Sequence, residues 1–349
     1  MLWSFFEKML MSRERQWTMI KTSSLVLAAA TLVGAAWCFS PSSSRTWLSR
    51  MGKGPIIRLQ HAIAFFVPTN LRSYRTRVDL FYQQNEALPL PSEPHAVLKS
   101  YNEYSSNGDG NNNIEDRHGI LIVGDVHGCY DELLELQEKA VEMNNGRQLR
   151  WIILVGDLCN KGPASSQVVT HCRTHSDTFR AVRGNHDNAA LAASLGDRKR
   201  QNQEKYNWVR DLTDEDIVYL SELPYTLRIP KHVHKGLEQD ILVVHAGLEP
   251  NKSLERQSVE SMTTIRTIKK EDVGEATSAI AIPWASTWRG PERVVFGHDA
   301  VRGLQQYEYA TGLDTGCVYG KQLTGLLLPQ NLLVSVQARK EYSPVSGKK

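Results

Sequence analysis

Cysteine is scarce in this chain. Five are spread over 349 residues, at Cys38, Cys129, Cys159, Cys172 and Cys317. An odd count without regular spacing does not read as a disulfide framework. Free cysteine usually behaves as a small buried hydrophobe, and Cys129 and Cys159 are expected to pack that way. Neither sign of charge dominates. Lys and Arg number 41 against 38 Asp and Glu, a formal net charge of +3. Such a balance argues neither for nor against nucleic acid, and no stable nucleic-acid partner is expected. Internal repeats are absent.

Long apolar runs are nearly absent as well. The exception is residues 22–40, which hold no charged side chain and follow Lys8, Arg13, Arg15 and Lys21. A span of about 20 apolar residues crosses a bilayer. The segment is therefore read as an uncleaved signal anchor of a single-pass membrane protein, with a cleaved signal peptide or a mitochondrial presequence as alternatives. Basic residues flank it on both sides and leave the orientation open. Residues 83–118 are rich in Asn, Ser, Pro and Gly and read as a disordered linker. The expected division is a tail over 1–21, the anchor over 22–40, a juxtamembrane segment and linker over 41–118, a catalytic domain over 119–338 and a tail over 339–349.

What the domain does have is a recurring event. Five short segments each carry residues that can hold a divalent metal: Gly124-Asp125-Val126-His127-Gly128, Gly156-Asp157, Gly184-Asn185-His186-Asp187, Val244-His245-Ala246-Gly247 and Gly297-His298-Asp299. Each follows an apolar run, at 120–123, 151–155, 179–182, 241–244 and 293–296. Those runs predict buried strands, and the carboxyl ends of strands in open α/β sheets are where sites are built. Asp, His and Asn converging without Cys favour an oxygen and nitrogen site for Zn, Mn, Fe or Co over a thiolate site. Helices are predicted over 131–143, 163–173 and 213–223, the last with Thr213 and Asp216 placed as a capping box. Strands and helices alternate early, and strands dominate late, at 325–328 and 332–336. That pattern predicts an α/β fold with a β-sandwich flanked by helices.

These motifs resemble the calcineurin-like metallophosphoesterases. The downstream runs Gly297-His298-Asp299-Ala300-Val301-Arg302-Gly303-Leu304 and Thr311-Gly312-Leu313-Asp314-Thr315-Gly316-Cys317 are most similar to the tetraphosphatase-like branch, whose eukaryotic members include vacuolar endopolyphosphatases and an RNA-decapping relative. The resemblance spans about residues 119–338. It implies a four-layer fold and two divalent metals, with Asp125, His127 and Asp157 on one and Asp157, Asn185, His245 and His298 on the other. It implies in-line attack by water activated between the metals, with His186 protonating the leaving oxygen. Lys161, Arg183 and Arg302 are candidates for binding the substrate's phosphates.

The second motif departs from the protein phosphatases, which carry Asp and Arg where this chain has Asn160 and Lys161. Asn160 is expected to accept a hydrogen bond from His186 without adding charge, and Lys161 offers a point charge in place of a bidentate fork. Base stacking by Trp284 and Trp288 suits a nucleotide, although core packing is the commoner role. The expected activity is cleavage of phosphoanhydrides, first in inorganic polyphosphate, then in diadenosine tetraphosphate and other dinucleoside polyphosphates or capped RNA, then in protein Ser/Thr phosphates. A non-enzymatic scaffold is the alternative of another class. The anchor and the resemblance together place the domain in a vacuolar lumen.

Overall fold

Runs of Ile, Leu and Val with no polar break favour strands buried on both faces. The computed structural model describes residues 88–98, 118–269 and 281–344. In chain order the strands are β1 (His95–Val97), β2 (Gly119–Val123), β3 (Leu149–Leu154), β4 (Phe179–Ala181), β5 (Thr226–Ile229), β6 (Ile241–Val244), β7 (Thr267–Lys269), β8 (Ala281–Pro283), β9 (Arg293–Phe296), β10 (Gln305–Gln306), β11 (Ala310–Gly312), β12 (Gln322–Leu328) and β13 (Leu332–Gln337). The α-helices are α1 (Tyr130–Met143), α2 (Ser165–Thr174), α3 (Asn185–Ser194), α4 (Arg198–Gln201), α5 (Asp214–Glu222) and α6 (Val259–Thr264).

Two mixed sheets carry the architecture. One has the order β13-β12-β2-β3-β4, with β2, β3 and β4 parallel. The other has the order β1-β5-β6-β9-β11-β10, with β6, β9 and β11 parallel. Their inner faces share one core. Ile120, Ile122, Trp151, Ile153 and Val155 from the first sheet meet Leu227, Ile229, Ile241, Val243 and Val295 from the second. Each such side chain contributes about 1.5–3 kcal/mol on burial. The first sheet's outer face is covered by α1, which packs on β2, β12 and β13 with Leu133, Leu136 and Ala140 buried at helical spacing. The second sheet's outer face is covered by short pieces: α6, the β7–β8 hairpin and Trp284. The fold is thus mixed α/β, and its parallel strands end at the segments that carry the motifs.

Three expectations need correction. Residues 95–97, assigned to a linker, form β1, paired parallel to β5. A three-residue strand directly after a proline is too short to show a period, and only the partner strand defines it. The tail beyond 338 is docked as far as Ser343, whose N donates to Val318 O at 3.1 Å. Arg339 N and Tyr342 Oη donate to Glu132 at 3.0 and 2.7 Å. The single-pass membrane protein is not supported: among the described residues no helix is long and apolar enough to cross a membrane. Residues 22–40, on which the anchor and the vacuolar placement rested, lie outside the described residues, as do most of 83–118.

The capping box at 213–216 forms. Asp216 N donates to Thr213 Oγ1 at 3.2 Å, and Thr213 N donates to Asp216 at 3.0 Å. Asp216 is buried and also receives Thr170 Oγ1 at 3.1 Å and Arg173 Nε at 2.7 Å, so it ties α5 to α2. Burial pushes this carboxyl up, but the bonds from Arg173 and Thr213 outweigh it and hold it below the usual carboxylate range. We expect Thr213→Ala to cost about 1 kcal/mol. Asp216→Ala, which strands several donors, should cost about 2–3 kcal/mol in urea unfolding. A depressed carboxylate stabilises above its unfolded pKa, so this contribution is present at neutral pH. It should fade as pH falls below about 3.9 and be lost at the lower folded value. Stability of the wild type and Asp216→Asn should converge on acidification.

Candidate metal centre

The loops that follow β2, β3, β4, β6 and β9 are cross-linked by their own backbones. His127 N donates to Asp157 O at 2.8 Å, Gly128 N to Leu158 O at 2.8 Å and Gly297 N to His245 O at 2.7 Å. Two groups of side chains that could each hold a metal ion result: His127 with Asp157 and His186, and Asp157 with His245 and His298. Within each group the ligand atoms lie within 4.8 Å of one another, and Asp157 belongs to both.

Carbonyl partners set the tautomers, because a carbonyl only accepts. His127 Nδ1 donates to Cys159 O at 3.0 Å, and His245 Nδ1 donates to Val155 O at 3.0 Å. Each therefore presents an unprotonated Nε2, which lies 3.5 and 3.4 Å from the two oxygens of Asp157. His298 is reversed: its Nε2 donates to Thr264 O at 3.2 Å, leaving Nδ1 with the lone pair. Such carbonyl partners orient metal-binding imidazoles. Asn185 Oδ1 lies 3.0 Å from His245 Nε2. Two lone pairs then face each other with no proton between them, a repulsion that a shared cation relieves. The donor set therefore fits divalent metals. Asp125 is turned aside, with both oxygens 3.1 Å from His298 N.

The backbone is strained where these side chains are aimed. His127, Asp157 and His298 have φ of 46°, 51° and 70°, and Asn160 and Lys161 have 71° and 69°. A non-glycine residue in this region costs roughly 1–3 kcal/mol and persists only where its surroundings over-determine it. The cross-links above do so. Glycine is required where backbone meets carboxylate. A Cβ at Gly184 would collide with Asp157, and one at Gly297 would collide with Asp125.

Burial governs the charges. Desolvation pushes Asp157 up to about 7, although Lys161 and the amide of His186 pull it down. Asp125 is raised well above the carboxylate range by burial and by Asp314 and Asp157. Burial and neighbouring cations depress the imidazoles, to about 3 at His186 and His245 and about 2 at His298. Neutral imidazoles around crowded carboxylates make a pocket that needs positive charge. Asp187, unassigned from sequence, braces it by accepting from Gly184 N at 2.9 Å and Leu158 N at 3.0 Å. Cys159 is a buried thiol that donates to Asp187 at 3.1 Å, and Cys129 is buried as well.

Asn160 is oriented from two sides. Trp208 Nε1, which only donates, reaches its Oδ1 at 3.0 Å, and its Nδ2 donates to His186 O at 2.9 Å. The same Nδ2 lies 3.4 Å from His186 Nδ1. The amide thus turns a donor toward His186, where acceptance was expected. Sequence spacing could not show this, because Trp208 sits in a 3-10 helix (Glu204–Asp211) 48 residues away. Lys161 Nζ lies 2.9 Å from His127 Nε2 and 5.2 Å from the ring centre of Tyr319.

Arg183 is not in the cleft. It is fully buried, with its guanidinium on Pro89 O at 3.2 Å, Tyr225 Oη at 3.3 Å and Ser221 O. It braces the core, and its place next to Gly184 in sequence does not aim it at substrate. Arg302 is exposed at the motif's edge and paired with Asp299. Arg266 was missed. Its Nη2 donates to His298 O at 3.1 Å, its charge acts on Asp157 and His245, and it is exposed. No motif marks it, because it precedes an isolated hairpin. Trp284 is 1% exposed, packs on Phe296 at 5.0 Å and donates to Ala246 O, so it is core.

A family model described as calcineurin-like phosphoesterase matches residues 118–320. The chain is 31% identical to an asymmetrical bis(5'-nucleosyl)-tetraphosphatase of Halalkalibacterium halodurans, covering 63% of this chain and 94% of that protein. It is 26% identical to the zinc-dependent endopolyphosphatase of Saccharomyces cerevisiae, covering 59% and 74%. A solved structure of a candidate diadenosine tetraphosphatase is similar at a TM-score of 0.53 and 33% identity, covering 70% of this chain and 98% of that one.

Gly184→Ala tests the crowding at Asp157. The added methyl forces the carboxylate or the loop to move, and a displacement near 1 Å costs about 100-fold in rate. We expect an unchanged circular dichroism spectrum with at least that loss of phosphoesterase activity and a lower bound-metal content. Wild-type metal content and activity would show that the approach is not constraining.

Proposed function

The chain belongs to the calcineurin-like phosphoesterases, and on that premise we propose that it hydrolyses phosphoanhydride bonds inside linear chains of phosphates, with inorganic polyphosphate as substrate. It is a metal-dependent hydrolase. Asp125, His127 and Asp157 would hold one divalent cation, and Asp157, Asn185, His245 and His298 the other. Those cations supply Lewis acidity and activate water for attack on phosphorus.

The observation that carries the anhydride reading is the direction of the Asn160 amide. With Nδ2 facing His186, the imidazole keeps Nδ1 as an acceptor and has a single proton, on Nε2. An imidazolium would set N–H against N–H. His186 is thus a hydrogen-bond donor of modest acidity. A departing phosphate is a weak base and needs only that, whereas the alkoxide of a serine or threonine needs a full proton during bond cleavage. The arrangement suits an anhydride and disfavours a protein phosphomonoester. Lys161 supports the same conclusion. Its Nζ lies 2.9 Å from His127 Nε2, an atom that would be given over to a metal, and its ammonium would then offer a point charge, which suits a chain of phosphates without the bidentate clamp that one phosphate rewards. Arg266, exposed beside His298, adds a cation from another element.

A dinucleoside tetraphosphate is the second reading. It is favoured by the likeness to the H. halodurans tetraphosphatase and by Tyr319, an aromatic ring beside Lys161. The two substrates share the anhydride chemistry and differ in whether a base must be bound.

Limited digestion of long polyphosphate, followed on gels, tests the reading. We expect mid-length products before orthophosphate. Orthophosphate alone would reject internal cleavage, and no digestion beside rapid cleavage of diadenosine tetraphosphate would promote the second reading. Asp157→Asn should remove both metals and all activity together. Asn160→Asp restores an acceptor toward His186. It should raise hydrolysis of a phosphoserine peptide relative to tripolyphosphate by about tenfold or more, a part of the roughly 100-fold or greater effect usual for a general acid. An unchanged ratio would show that the amide does not set leaving-group preference.

A further inference from the structure

The 3-10 helix Glu204–Asp211 lies against the loop that bears Asn160, and its three faces do different things. In a 3-10 helix, residues three apart eclipse one another. Tyr206 and Val209 form one face and are 6% and 3% exposed, anchoring the helix in the protein. Glu204, Asn207 and Arg210 form a second face, open to solvent. Lys205, Trp208 and Asp211 form the third, and Asp211 is exposed and makes no ion pair with Lys205. Trp208 fixes where that face points, because its Nε1 donates to Asn160 Oδ1 at 3.0 Å while the same amide touches His186. The helix also packs on α3, which opens with Asn185 and His186.

Lys205 is therefore carried on the face that meets the His186 side of the cleft. It is exposed, and among the described residues no carboxylate pairs with it. Its ammonium lies over the ring of the adjacent Tyr206 at 5.1 Å from the centre. Its charge is among those that act on His186. Lys161 lies against His127, and its charge also acts on His186, so the two ammonium groups reach the site from different elements.

We propose that Lys205 forms a subsite for the phosphate on the leaving side of the scissile anhydride, with Trp208 as the positioning residue that holds the helix to the catalytic loop. The inference deepens the anhydride reading and rests on it. The leaving oxygen meets His186 Nε2–H. In an anhydride that oxygen belongs to a further phosphate, whose remaining oxygens extend past His186 toward the Lys205 face. An aryl ester puts an uncharged ring in the same place and gives Lys205 nothing to bind. Lys205 thus discriminates between leaving groups and takes no proton.

The experiment compares tripolyphosphate with p-nitrophenyl phosphate for wild type, Lys205→Ala and Lys205→Arg, all loaded with the same divalent metal. The expected result is a fall of about tenfold in the ratio of kcat/KM values for Lys205→Ala, of the size one charge-assisted contact confers. The fall should lie in KM for tripolyphosphate and shrink as salt rises. Lys205→Arg, which keeps the charge, should recover most of the ratio. A purely structural role would lower both substrates together and leave the ratio unmoved. A change below about twofold, or no recovery by Lys205→Arg, overturns the subsite while wild-type tripolyphosphate cleavage leaves the anhydride reading standing. Failure of the wild type to cleave tripolyphosphate overturns both.

Discussion

One buried carboxylate organises this molecule. Asp157 sits on a strained turn after β3, its Oδ1 accepts from His186 N at 2.8 Å, and His127 and His245 flank it on either side. Its desolvation is costly, and the charges that offset it come from outside its own strand: Lys161, Arg266 and the cations that the two ligand groups are shaped to hold. A buried unpaired charge is among the most expensive features a protein can carry. The surrounding loops are built to make it tolerable.

The two sheets make that possible by delivering loops from opposite halves of the chain. β2, β3 and β4 bring Asp125, His127, Asp157, Asn185 and His186, whereas β6 and β9 bring His245 and His298. The shared core of Ile, Val and Leu fixes the distance between sheets, and backbone bonds then lock loop to loop. Strain is concentrated in those loops, where left-handed residues aim side chains that regular strand geometry would point elsewhere. Rigid strands and strained ends are one device, since the ends can hold strain only because the strands do not yield.

Around this centre, the substitution of Asn160 and Lys161 changes what the site rewards. An acid at position 160 would draw a second proton onto His186, and an amide held by Trp208 refuses it. A guanidinium at position 161 would grip one phosphate at two oxygens, and an ammonium does not. Under the anhydride reading proposed above, both changes would lower the advantage of a single phosphomonoester and favour a substrate that brings its own good leaving group and repeats its charge. Lys205 is informative in this setting because its charge acts on His186 from an element outside the ligand loops.

The sequence by itself determined the candidate ligand types, their order and their placement after apolar runs, since strand burial and donor chemistry are both written locally. It also determined the capping box at Thr213 and Asp216, a contact between residues three apart. It did not determine where Arg183 points, how the Asn160 amide is turned, or that Trp208 and Arg266 reach the centre. Arg183 adjoins a ligand loop yet is drawn into the core by Pro89, Ser221 and Tyr225. β1 is too short to show a period and exists only because β5 offers an edge. The divide has a physical cause. Propensity and periodicity depend on neighbours along the chain, but the direction of a polar side chain depends on partners that folding brings from far away, and only the tertiary structure supplies them.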